Sequence, residues 1–304
     1  MEGSLDALLP KQIAERAEDI GASKARMDTP TTLLLAILAG AFIAMGAVFS
    51  TVVSAGSAAL PFGVARVLAG AAFSLGLVLV VVAGAELFTG NNLLVMAYAS
   101  RKASAAQVLR NWSLVYIGNF IGGAATAAGM YAAGLHQWGN GQVGATALAI
   151  AQAKCSLTWS EALMRGVFCN ALVCMALWLC MSCRSTGDKI LAIMLPVSAF
   201  VAAGFEHSIA NMYFIPSGLL IKTFGPAQDL APMGGCPEVT WGNFFLANLL
   251  PVTIGNIIGG ALMVGTVYWV VYCRRSRSGD AALHITGRAE HEVPTLQQRD
   301  GTRG

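Results

Sequence analysis

Residues 190–221 form an apolar run of 32 residues whose middle carries a carboxylate and an imidazole side by side, Glu206 and His207, with Tyr213 as its one other ionisable side chain. A run of that kind belongs in a bilayer, where ionisable groups are costly and mark a pathway or a site. Its length fits no ordinary span. At about 1.5 Å per residue it would reach roughly 48 Å, against a hydrocarbon core of about 30 Å. Two crossings would need about 40 residues. The economical solution is one helix broken near Gly204, with the freed backbone lining a cavity inside the protein.

The same reasoning extends over the chain. Only 12% of its residues are charged, about half the usual share for soluble domains, and 34 glycines suit close helix approach in lipid. Six apolar segments stand out: residues 33–53, 67–100, 112–135, 162–182, 190–221 and 244–272. The second is overlong like the fifth and holds one charge, Glu86. Residues 83–91 lie over residues 203–211 with Ala, Gly, Glu and Asn matched, and residues 111–123 lie over residues 248–260 without gaps. The expected fold is therefore an all-α membrane protein of six transmembrane helices in two three-helix repeats. An odd number of spans per half makes the repeats inverted, with helices 2 and 5 broken and facing each other near the midplane.

Outside that core, residues 1–30 are polar with Leu9, Ile13, Ala17 and Ile20 at helical spacing, which predicts an amphipathic segment on the membrane or against a neighbour. Six acids and no apolar h-region in that stretch predict no cleaved signal peptide. Residues 31–273 make the six-helix transmembrane domain, and 274–304 form a polar tail expected to be disordered. Basic residues cluster in the N-terminal tail, at 101–110, at 184–189 and at 274–277. That bias places both termini of a multi-pass protein in the cytoplasm. A net charge of +3 excludes nucleic acid as a partner. Four histidines, three of them in a loop or the tail, exclude a bis-histidine haem or a three-ligand zinc site inside the membrane. The C-x-x-C at Cys180 and Cys183 lacks a completing set, so no metal or other cofactor is expected.

His207 is the residue best suited to chemistry, because its ordinary pKa of about 6.5 lets it exchange a proton near neutrality. Its repeat partner is Leu87, so symmetry does not explain it. Glu86 and Glu206 are read as structural, each carboxylate capping exposed N–H groups at its own break, with Glu206 a possible orienter of the imidazole. Asn91 and Asn211 support the same breaks. Asn170 is placed to face the lumen, and Thr89 to offer a hydroxyl to a passing solute. Phe73, Leu77, Leu87, Phe88, Val173 and Phe200 are candidates for dry collars that stop hydrated ions. Lys154, in the connection between segments three and four, is read either as an anion-attracting group or as a solvated loop lysine.

Residues 204–212, 84–89 and 251–260 together resemble the signature stretches of the formate/nitrite transporter family, nearest its formate-channel branch, over residues 9–272. The resemblance implies a homopentamer of aquaporin-like protomers, with the lipid bilayer and copies of itself as partners. It puts the family's central histidine on His207 and its loop threonine on Thr89. Its two collars fall on Phe73, Phe88 and Val173 and on Leu77, Leu87 and Phe200. Its pore asparagine falls on Asn170, its vestibule lysine on Lys154, and the flanking acid and amide on Glu206 and Asn211.

The expected function is a channel or transporter, not an enzyme, for small monovalent anions and chiefly formate. The anion is protonated by His207 or pairs with it between the collars, in either direction and with pH dependence. Alternatives are nitrite, another small monocarboxylate or hydrosulfide, and, further off, a neutral-solute pore. No Asn-Pro-Ala stands at either break to favour the last.

Overall fold

A computed structural model describes residues 7–225 and 235–274; the 274–304 tail lies outside them but for its first residue. The regular structure of the described residues is all helical, without strands. Helix α1 spans Pro10–Arg26, with Pro10 in its first turn and Lys24 and Arg26 in its last. Its buried face of Ile13, Ala14 and Ala17 packs on Met96, Trp178 and Cys273. The predicted amphipathic segment therefore docks on its own protein, on a face rotated away from the exposed Leu9.

The long helices begin outside their apolar runs because polar caps extend them. α2 spans Thr29–Ser54, with Asp28 accepting from the Thr31 N–H. After α3 (Phe62–Ala83), α4 (Phe88–Asn91) and α5 (Leu94–Ala99), helix α6 spans Ala105–Ala132 behind a Ser104–Gln107 capping box. α8 (Trp159–Ser182) and α9 (Thr186–Ala202) carry the boxes Thr158–Glu161 and Ser185–Asp188. Such boxes satisfy N–H groups a first turn leaves open. α10 covers Ser208–Phe224 and α11 covers Asn243–Cys273. Among these, α2, α3, α8 and α11 are by length and composition able to cross a membrane. Large apolar side chains such as Leu34, Leu195 and Leu246 stand on the outside.

The second and fifth apolar segments are both interrupted, at matching places. α3 ends at Gly84 with φ 79°, and α9 is followed by Gly204 with φ 73°. Both angles lie in the left-handed region that glycine adopts without penalty. Between α6 and α8 the chain forms a further helix, α7 (Gln142–Cys155). Its sequence is Ala-rich, with Gly144 its single glycine, and lacks the long bulky apolar run that marks a membrane span.

Tight crossings hold the bundle. A Cβ on Gly122 would lie 2.0 Å from the Ile37 carbonyl oxygen, and one on Gly259 would lie 2.0 Å from that of Val167. Glycine thus lets α6 meet α2, and α11 meet α8, backbone to backbone. All seven cysteines are free thiols, Cys155 and Cys236 included.

Candidate functional site

Each break is built on one buried polar cluster, and the two clusters match group for group. At the first, Glu86 pairs with Lys24 at 3.0 Å and accepts from Asn91 Nδ2 at 2.7 Å. The same Nδ2 reaches Asn111 Oδ1 at 2.9 Å. At the second, Glu206 pairs with Lys154 at 2.9 Å and accepts from Asn211 Nδ2 at 2.7 Å, which also reaches Asn248 Oδ1 at 2.7 Å. Both glutamates are nearly inaccessible. Such burial of a charge is tolerable only with a partner and a full set of hydrogen bonds.

A second asparagine closes each break. Asn119 accepts from the Phe88 N–H at 2.9 Å and donates to the carbonyls of Ala36 (2.7 Å) and Glu86 (2.9 Å). Asn256 accepts from the Ser208 N–H at 2.9 Å and donates to those of Gly166 (2.8 Å) and Glu206 (3.0 Å). These amides cap the broken helices, so the expected capping by Glu86 and Glu206 is corrected: both carboxylates are held by side chains. Glu206 does not orient the imidazole either, since Lys154, Asn211 and Asn248 occupy it.

His207 is instead set by its own helix and by the opposite break. The Ala210 N–H donates to Nδ1 at 3.1 Å, and Nε2 lies 3.0 Å from Thr89 Oγ1. A nitrogen that accepts an N–H carries no proton, so the neutral ring bears its hydrogen on Nε2 and presents it to Thr89. The ring stacks on Phe200, centroids 6.1 Å apart at 15°. Thr89 therefore meets the histidine across the midpoint. The Asn170 amide nitrogen turns to the Thr89 and Asn256 carbonyls and to Asn92 Oδ1, a cross-brace between breaks in place of a free lumen group.

Two cavities approach this point from opposite sides. One of about 530 Å³ is walled by Phe73, Phe200, His207, Lys154 and Glu206; the other, of about 280 Å³, by Leu87, Glu86, Lys24, Asn91 and Arg16. Lys154 sits in the last turn of α7, paired, 15% exposed in its side chain and 5.3 Å from the Phe214 ring centroid. A solvated loop lysine is thereby ruled out. The six collar residues are all buried. Phe73 and Phe200, expected in different collars, pack edge to face at 5.8 Å and wall one cavity. Leu87 faces the other cavity. Phe88 packs on Tyr116 at 4.9 Å.

Sequence reasoning passed over Lys24, Asn119 and Asn256 as site residues. The asparagines sit in the two stretches, 111–123 and 248–260, whose gapless match was visible. Lys24 stands on a polar helix with nothing local to distinguish it from other surface lysines.

The sequence pattern of the formate/nitrite transporter family matches residues 11–270. The formate channel FocA of Escherichia coli (strain K12) is 43% identical over 279 residues, covering 90% of this chain and 98% of that protein. A probable formate transporter of Methanothermobacter thermautotrophicus is 38% identical over 281 residues, covering 87% and 97%. Among solved structures, a pentameric formate channel with formate bound aligns at a TM-score of 0.76 and 43% identity, over 81% of this chain and 98% of that one. The chain belongs to the formate/nitrite transporter family. That family is one of transporters, not of enzymes.

Proposed function

We propose that this protein is a membrane channel for small monovalent anions with formate as its substrate. The path runs from the Lys154 cavity past Phe73 and Phe200 to His207 and Thr89, then by Leu87 to the Lys24 cavity. The observation that carries this reading is a buried imidazole, hydrogen-bonded only to Thr89 and its own helix, between two cavities that each have a lysine in their wall. The relatives named formate channels support formate over nitrite.

A bare carboxylate crossing the apolar stretch would lose several kcal/mol of hydration even after relaxation. A neutral His207 offers it the Nε2–H in place of Thr89. Because Nδ1 accepts the Ala210 N–H, a second ring proton is disfavoured, and passage as formic acid is preferred to pairing with an imidazolium. The proton then enters with the anion, which makes the flux follow pH and gradient in both directions.

In this reading six spans cross the bilayer: α2, α3 with α4–α5, α6, α8, α9 with α10, and α11. They form two inverted repeats of an aquaporin-like protomer, and five protomers assemble, as in the pentameric relative. Residues 31–273 make the channel, and both termini lie on the cytoplasmic face of a bacterial inner membrane. Formate uptake into proteoliposomes at two pH values tests the mechanism. His207→Ala and His207→Asn keep the assembly and lose pH-dependent flux; unchanged uptake and pH profile in both would overturn it.

A further inference from the structure

The mouth of the larger cavity carries two arginines that the transport path above leaves unused. Gly204, at φ 73°, marks the spot. A Cβ placed there would lie 3.5 Å from Arg66 Nη2 and 3.9 Å from Arg165 Nη1, with no other heavy atom within 4 Å among the described residues apart from its chain neighbours. Two guanidiniums from α3 and α8 thus flank one small open volume beside the cavity they line.

Like charges brought together this way need a reason. Arg66 donates to the carbonyls of Val201 and Ala202 at the end of α9, and among the described residues no carboxylate pairs with it. Arg165 has Glu161 3.8 Å from its Nη2, but the second oxygen of Glu161 is held in the α8 capping box by Thr158. Arg165 Nη1 is the nitrogen turned to Gly204. Deeper in, Lys154 is already matched by Glu206. The excess positive charge of this cavity therefore lies on the arginine pair, two guanidiniums set against the one carboxylate of Glu161.

We propose that Arg66 and Arg165 form a binding subsite for a small monocarboxylate anion at the mouth of the Lys154 cavity, ahead of the apolar stretch. Naming the ligand class rests on the transport function proposed above. Guanidinium suits such a subsite because it is weakly hydrated, it is always charged, and its fork matches a carboxylate. Gly204 leaves the room, and substrate gathered here is concentrated before it meets the dehydrating ring of Phe73 and Phe200.

The test uses the purified, assembled protein, titrated with 13C-formate and also reconstituted for uptake from this side. Losing one charge-assisted anchor is worth about a tenfold change, so R165Q and R66Q/R165Q should weaken formate binding and raise the uptake KM by about that factor. Maximal flux and pH profile should persist, and R66K/R165K should fall between. R165Q avoids disturbing the α9 carbonyls that Arg66 caps. Unchanged binding and KM in R165Q and the double variant overturn the subsite, as does a loss of maximal flux with binding intact. A wild-type protein that binds formate through the arginines yet moves none removes the channel function and leaves the subsite standing.

Discussion

The two breaks are built alike and equipped differently. Lys24, Glu86, Asn91, Asn111 and Asn119 have counterparts in Lys154, Glu206, Asn211, Asn248 and Asn256, with the lysine–glutamate, asparagine–glutamate and asparagine–asparagine contacts repeated, while Lys24 alone adds a bond to the Oδ1 of its asparagine, Asn91. Where the first break continues Leu87-Phe88-Thr89, the second continues His207-Ser208-Ile209. What repeats is the solution to a problem both breaks share: buried backbone groups and a buried charge that need partners. What does not repeat is one imidazole from one break meeting one hydroxyl from the other. The matched residues are thus scaffold, and the mismatched ones carry the chemistry.

The largest expected effect strikes the scaffold in both halves equally. Gly122→Ala and Gly259→Ala each drive a methyl into a facing carbonyl, at the upper end of overpacking penalties, about 3 kcal/mol or more. Both should lose the assembled protein in size-exclusion chromatography with thermal unfolding. If one is tolerated, the halves are not equivalent supports.

Next comes the exchange of the unlike residues. His207→Leu with Leu87→His keeps the composition of the pair and moves the ring to the other break, away from Ala210 and Thr89. A few kcal/mol of unrelieved desolvation, at a factor of ten per about 1.4 kcal/mol, should cut formate flux at least about a hundredfold. Recovery of flux in the swapped protein would make position irrelevant and merge the two breaks into one functional class.

A smaller effect is expected from Thr89→Val, which removes the acceptor for the Nε2–H but leaves the ring on Phe200 and Ala210. One neutral hydrogen bond at about 1 kcal/mol predicts flux lowered severalfold with the fold retained, read by the same uptake assay beside a melting curve.

The least change is expected at the α1 contact. Lys102 bridges to Glu18 at 2.9 Å and Asp19 at 2.7 Å. Burial alone would lower its pKa, but the hydrogen bonds to Asp19 and Glu18 outweigh that, and it stands above the ordinary lysine value. A raised lysine pKa contributes stability below the unfolded value, about 10.4, and loses it only as pH rises through the folded one. Between pH 5 and 9 this ion pair should not respond. Lys102→Met should therefore leave the pH profile of flux unchanged, measured as the uptake ratio at two pH values. A shifted profile would assign part of the pH response to the α1 face and not to the midpoint.

Much of this molecule is legible in the chain. The overlong runs around Glu86 and Glu206 force interrupted helices, because the bilayer limits length and forbids unsatisfied backbone. The gapless match of 111–123 with 248–260 exposes the repeat. The site itself is less legible. Glu206 and His207 are neighbours in sequence yet belong to separate networks, one tied to Lys154, the other to Thr89. Lys24 reaches Glu86 from a helix that carries no local mark of that role.

The amino-acid sequence by itself determined that this chain lives in a membrane, that two of its apolar segments must break, and that a single unmatched histidine stands at one break. Those follow from composition, length and internal repetition, which are local or countable. Only the tertiary structure decided which groups satisfy the broken backbone, that Phe73 and Phe200 wall one cavity, and that two arginines converge on Gly204. Those depend on how helices distant in sequence cross, and the glycine contacts that fix the crossings leave no trace in any one segment read alone.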